Sequence, residues 1–262
     1  MRRVLCISDL HCGSVWGLWH PDYKTRHQNT IKLNPIQEEL FIKWELMKEE
    51  LSKDGGYDAV LLLGDLADGL NKKQFGRERM VSDLNEQVGV IEKLLKPICK
   101  NKDTIGISGS NYHGSADYEI DKKICKELKG HYGGSVCNIR LKNTNKIINI
   151  AHGSGSAPVY SGTKMSKEIL QALSSERLMK VPEAHILIRA HHHTYAHFEM
   201  LGKHIVWNPS WEGPRLNSYS APHYYRFQPD IGCTKIEISE DEINVKPFLY
   251  QIEYERKNIK VI

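Results

Sequence analysis

The feature that most constrains this chain is a repeated unit: a short apolar run that breaks off at an acidic side chain and is followed by an amphipathic helix. Residues 3–8 end at Asp9, and residues 58–63 end at Gly64-Asp65. Both runs are apolar almost throughout, which predicts strands buried on two faces, each delivering a carboxylate at its end. Between them, Ile36, Leu40, Trp44, Met47 and Leu51 recur three or four residues apart within 35–53, predicting a helix with one buried face. A second helix is predicted from Val81 through Leu84, Val88, Ile91, Leu95 and Ile98, stopping near Pro97, with a third strand at 104–108. Strand, helix, strand, helix, strand implies parallel pairing and an α/β fold.

The second half reads differently. Strands are predicted at 136–141, 147–151, 185–189 and 204–207, with helices only at 117–129 and 163–173. Residues 234–238 and 243–248 alternate in period two around Ser239-Glu240-Asp241, predicting a hairpin. A mixed sandwich of two sheets follows. With 262 residues, 40% hydrophobic and 26% charged, and no linker-like stretch, a single domain over 1–262 is expected. The apolar run after the first two arginines is too short for a signal-peptide core, and no run is long enough to span a bilayer. The six cysteines are scattered without a C-x-x-C pair, as expected of reduced thiols in a cytoplasmic protein. The net charge of +4 tolerates an anionic partner without requiring one.

Thirteen histidines are more telling, because several gather with carboxylates at predicted strand ends. Asp9 and His11 form D-x-H after the first strand, and Gly64 lets the chain turn so that Asp65 faces the same cleft. Gly109-Ser110-Asn111-Tyr112-His113 follows the third strand, His152 the fifth, and His191-His192-His193 the sixth. Each piece alone is weak, since short motifs recur by chance. Together they place metal-binding side chains at five strand ends on one rim. Buried aspartate and histidine are costly there unless paired or metal-bound. Imidazole and carboxylate donors without thiolate favour Mn, Fe, Zn, Co or Ni over Ca or Mg. Cys12, beside His11, reads as a small buried thiol.

In this order the blocks resemble those of the calcineurin-like metallophosphoesterases: D-x-H, G-D, G-N-H, a lone His, and G-H-x-H. The stretches 107–113 and 189–211 are similar to a branch common in bacteriophage and prophage genomes. The resemblance implies a four-layer αββα sandwich of two mixed β-sheets flanked by helices. It also implies two divalent transition metal ions, with Mn favoured. Asp9, His11, Asp65 and His193 would hold one ion, and Asp65, Asn111, His152 and His191 the other. The implied reaction is hydrolysis of a phosphodiester or phosphomonoester by a metal-activated hydroxide, with Asp65 as the bridge and His113 as general acid. Two departures stand out. Tyr112 separates Asn111 from His113, so Ser110 or Asn111 could take the asparagine's place, and Ala190 replaces the glycine before His191.

A nucleic acid or nucleotide is favoured as substrate by the basic balance and by residues 16–34, which hold Trp16, Trp19, His20, Tyr23, Arg26 and His27 without a clear period. This segment reads equally well as a flap packed on the domain. Arg26 and Arg215 are the candidate phosphate contacts, the latter in the turn 207–215. The rival expectation is a binding or scaffold protein that keeps the fold without turnover.

Overall fold

The computed structural model describes residues 1–71, 78–113, 120–153, 155, 160–215 and 228–252. Its first sheet contains β1 (Arg2–Ile7), β2 (Ala59–Leu62), β3 (Asp103–Gly106), β4 (His131–Tyr132), β10 (Ile231–Ile238) and β11 (Ile243–Tyr250), in the order β11-β10-β1-β2-β3-β4. β1 to β4 run parallel, as the alternation of strand and helix predicts, and β10 and β11 join as an antiparallel hairpin. The second sheet contains β5 (Val136–Arg140), β6 (Ile147–Ala151), β7 (Ile186–Arg189), β8 (Ala196–Met200) and β9 (Lys203–Trp207), in the order β5-β6-β7-β9-β8. Here β6, β7 and β9 are parallel, with antiparallel strands at both edges.

Burial on both faces explains the unbroken apolar runs. Leu5 and Ile7 of β1 face one cluster with Val60 and Leu62 and with α1 (Pro35–Lys53) and α2 (Leu84–Cys99). Val4 and Cys6, one residue out of phase, face the other way against Ile148, Ile150, Ile186, Ile188 and Val206 of the second sheet. On that sheet's far side, Met165 and Ile169 of α4 (Ser161–Arg177) pack on Leu187, Ile205 and Trp207. The layers are therefore helix, sheet, sheet, helix.

The helix α1 keeps its expected bounds because both ends are signalled. Asn34 and Gln37 cap each other's backbone N–H groups and Pro35 occupies the first turn. The other elements differ from expectation in instructive ways. α2 begins at Leu84 behind its N-cap Asp83 and continues two residues past Pro97. A proline in the last turn forfeits one backbone hydrogen bond, and the chain keeps helical geometry around it while Leu94, Leu95, Ile98 and Cys99 are buried. α3 (Ile120–Glu127) is shorter than expected at its C-terminal end, and the predicted start at 117–119 lies outside the described residues. β4 and β8 were not expected: the first is two residues long, and the second pairs with β9 while interleaving His197 and Glu199 with apolar residues. No helix among the described residues is long and apolar enough to cross a membrane.

Candidate metal centre

The parallel strands bring their C-terminal ends to one rim, where α/β sheets characteristically place ligands. The loop after β1 carries Asp9 and His11, that after β2 Asp65, that after β3 residues 109–113, that after β6 His152, and that after β7 His191 and His193. Main-chain hydrogen bonds stitch these loops together. The Asp9 N–H donates to the Gly64 carbonyl (3.1 Å), the His11 N–H to the Asp65 carbonyl (3.1 Å), and the Ala190 N–H to the His152 carbonyl (2.8 Å).

That stitching holds an unusual backbone. Asp9, His11, Asp65, His191 and His193 all have positive φ, between 45° and 72°, a region that costs a non-glycine residue on the order of 1 kcal/mol or more. Strain of this kind persists where surrounding structure over-determines it. Two glycines let the loops close. A Cβ on Gly64 would lie 2.4 Å from Gly109 Cα, and one on Gly109 would lie 2.0 Å from Asp65 Oδ1. The contact they permit is a 2.7 Å hydrogen bond from the Ser110 N–H to Asp65 Oδ1. Ala190 has no positive φ, so the missing glycine before His191 asks nothing special of the backbone.

The side chains form overlapping groups able to hold a cation: Asp9, His11 and His193; Asp65, His152 and His191; and His11, Asp65 and His113. In the first, Asp9 Oδ1 lies 3.2 Å from His193 Nε2 and 3.7 Å from His11 Nε2, and the two imidazole nitrogens are 3.3 Å apart. In the second, Asp65 Oδ2 is 2.9 Å from His152 Nε2. Asp65 also belongs to the third group, and so stands between the other two.

These residues fit a metal by more than proximity. His11 Nδ1 and Ser110 Oγ are buried without a hydrogen-bond partner in the protein, a state expensive for polar atoms unless something else satisfies them. The His152 ring is also preset. Its Nδ1 donates 2.7 Å to the Leu63 carbonyl, which can only accept, so when the ring gives up one proton the lone pair falls on Nε2.

The electrostatics agree. Burial alone would raise the pKa of Asp9 and Asp65, yet the surrounding histidines hold both below the usual carboxylate range. Burial likewise works against a charged His152, but Asp65 and Asp9 outweigh it and raise that imidazole to about 10. The carboxylates therefore demand positive charge at their centre, which protons supply in the metal-free protein and which a cation would displace. His191, lowered by burial and by the charge of His152, stays neutral as a ligand must.

His113 sits edge-on to His11 at 4.5 Å between ring centroids and donates through Nδ1 to the Asp68 carbonyl (2.9 Å). Burial opposes its protonation, but Asp65 and Asp68 raise it to about 9. Asn111 is exposed, whereas Ser110, one residue earlier, carries the buried partnerless hydroxyl. Arg215 is committed to Glu212, with Nη2 at 2.7 and 3.0 Å from its two oxygens, and also approaches Glu78 (3.7 Å). Arg26 points to Asp83 (2.7 Å) with a side chain 66% exposed. The 16–34 segment is divided: Leu18, Trp19 and Leu33 are in the core and Tyr23 bonds Glu86, whereas residues 26–30 are exposed. Cys12 is buried, as expected.

Two buried acids at the site escaped the sequence reading. Asp68 lies 3.4 Å from His113 Nδ1, and Glu212 lies 3.3 Å from His193 Nδ1. The spacing of Asp68, three residues beyond Asp65, was the available signal for the first; the second had none beyond its closeness to Arg215.

Fold and site together define a two-sheet α/β sandwich with an aspartate–histidine centre at the strand ends. Its overall likeness to solved structures follows that definition. A hypothetical protein from Pyrococcus horikoshii OT3 superposes with a TM-score of 0.50 at 14% identity, covering 98% of this chain and 90% of that one. A novel archaeal phosphodiesterase gives 0.47 at 10% identity, covering 94% and 99%. The zinc complex of Vps29 from Entamoeba histolytica gives 0.42 at 15% identity, covering 96% and 99%. At such identities the likeness is one of fold. No protein-family model and no curated relative matches the sequence.

Proposed function

We propose that this chain, taken as one domain over 1–262, is a dinuclear metal-dependent phosphohydrolase of the calcineurin-like metallophosphoesterase type. The observation that carries the reading is the convergence of Asp9, His11, Asp65, His152, His191 and His193 from four strand-end loops into overlapping ligand groups. Asp9, His11, Asp65 and His193 hold one cation. Asp65, His152 and His191 hold the other, with Ser110 or Asn111 completing it. Nitrogen and oxygen donors without sulfur suit Mn, Fe, Zn, Co or Ni. Cations held there supply Lewis-acid charge for a phosphoryl oxygen and lower the pKa of a bound water.

The protein's own groups do the rest. Asp65 keeps the two ligand groups in one frame. His113, anchored through Nδ1, presents Nε2 as the proton donor to the departing oxygen. The substrate is a phosphodiester or phosphomonoester, with a nucleotide or nucleic acid favoured by the net charge of +4. Turnover of a chromogenic diester, a chromogenic monoester and DNA under Mn, Zn, Co, Ni and Mg tests this. We expect metal-stimulated activity that falls at least about a thousandfold in Asp65→Ala, roughly 4 kcal/mol of transition-state stabilisation. Activity indifferent to metal, or intact in that variant, ends the proposal. His113→Ala should lose most on poor leaving groups.

The exposure of Asn111 favours one second reading, a scaffold that retains the fold without turnover. Elemental analysis is a first discriminator, since a chain that carries no transition metal and gains none on incubation favours the scaffold.

A further inference from the structure

We infer that Glu212 is a positioning residue of this centre, fixing His193 so that Nε2 and not Nδ1 faces the cation. The inference rests on the metal-centre reading above and adds a residue to it. An imidazole presents one nitrogen to a metal, and the hydrogen bond made by the other decides which. Glu212 Oε2 is 3.3 Å from His193 Nδ1. His193 Nε2 is the atom that converges with Asp9 Oδ1 at 3.2 Å and His11 Nε2 at 3.3 Å. Donation of Nδ1–H to the carboxylate leaves the Nε2 lone pair pointing at the shared centre.

The carboxylate is held by one arginine, and its backbone is anchored on both sides. Arg215 grips both oxygens, through Nη2 at 2.7 and 3.0 Å and Nε at 3.2 Å. On either side of Glu212 along the chain, the Trp211 N–H donates to the Asp9 carbonyl (3.0 Å) and the Gly213 N–H to the Trp16 carbonyl (2.8 Å). The segment bearing Glu212 is thus tied directly to the residue whose side chain lies across from His193. A carboxylate serving only to neutralise Arg215 would gain by remaining in water. This one is buried, with one oxygen turned toward two imidazoles, His193 and, at 4.0 Å, His11.

Zinc is the probe for the test. In zinc-loaded wild-type protein, nitrogen-15 NMR of the histidine rings should report His193 protonated at Nδ1. Glu212→Gln should lower zinc affinity, measured by competition with a chromophoric chelator, by about ten- to a hundredfold, the usual size of such outer contacts. In a His193→Ala background the same substitution should have no further effect on affinity. A full additional loss in that background would mean Glu212 touches the ion itself and would overturn the positioning role, as would wild-type affinity in Glu212→Gln. Because removing Glu212 strands the Arg215 charge, the paired variant Glu212→Met/Arg215→Met is measured alongside, with thermal melting of the chelated proteins as the folding control. It should show the same loss of zinc affinity; restored affinity would assign the effect to Arg215 and sink the inference. If wild-type protein binds no zinc, the metal-centre reading fails and takes this one with it. If it binds zinc and turns over while Glu212→Gln is unaltered, only this one fails.

Discussion

At the corner formed by Asp9, His11 and His193, the nearest outer carboxylate is Glu212, clamped by Arg215. At the corner formed by Asp65, His152 and His191, the corresponding brace is Asp121, which accepts the Gly109 N–H at 2.8 Å and so holds the loop carrying Ser110 and Asn111. The two carboxyls are buried alike and behave oppositely. Burial would raise Glu212, but Arg215, His11 and His193 bring it down to about 2. Burial does raise Asp121, to about 6, because the Gly109 N–H and the more distant His152 do not offset it and Asp65 adds repulsion. A carboxylate with a dedicated cation is a fixed charge across the working pH range; one without it is a titrating group. The first corner is therefore preorganised, and the second is left adjustable beside an exposed loop.

The sharpest way to break this comparison is graded chelation of the metal-loaded protein with elemental analysis at each step. Two releases are expected, separated by about ten- to a hundredfold in free chelator, the corner of Asp65, His152 and His191 emptying first. A single release of both ions would show that the corners do not differ.

The next largest effect concerns Asp121. Its native pKa of about 6 lies above the ordinary 3.8, so the native state retains a proton that the unfolded chain gives up as pH rises. The resulting stability cost is absent below about pH 4, grows between the two values, and is complete above about pH 6. Asp121→Asn in metal-free protein should therefore gain about 3 kcal/mol in denaturant unfolding at pH 7 and nothing at the acid end. An equal change at both pH values would contradict the assignment.

Ser110→Ala and Asn111→Ala then ask which residue completes the second corner. The buried hydroxyl predicts about a tenfold loss of metal affinity for the first, roughly 1.4 kcal/mol, and less than twofold for the second. The reverse order would return the role to Asn111. The smallest effect is expected of Arg26→Ala, because an exposed pair with Asp83 contributes at most about 1 kcal/mol. A KM increase beyond about threefold would instead make Arg26 a substrate contact.

Much of this was legible before any coordinates. The apolar runs announced buried strands, the recurrence of Ile36, Leu40, Trp44, Met47 and Leu51 announced α1, and Asp9, His11, Asp65, His152, His191 and His193 stood out because strand ends interrupted by such side chains are costly without a purpose. Where local pattern and tertiary burial disagreed, burial prevailed. α2 runs through Pro97 because its last turn lies in the core. The aromatic 16–34 segment divides, with Leu18, Trp19 and Leu33 packed in the core and Arg26 and His27 exposed.

The strand–helix alternation of the first half and the identity of the candidate ligand side chains were thus determined by the sequence alone, since periodicity and residue chemistry are local properties. The hydrogen bond that orients His152, the left-handed backbone at five of the candidate ligand residues, the exposure of Asn111, and the placing of buried Asp68 and Glu212 beside His113 and His193 were decided only in the folded molecule. Each depends on groups distant in the chain, as Leu63 is from His152, and no local pattern records a distance closed by the fold.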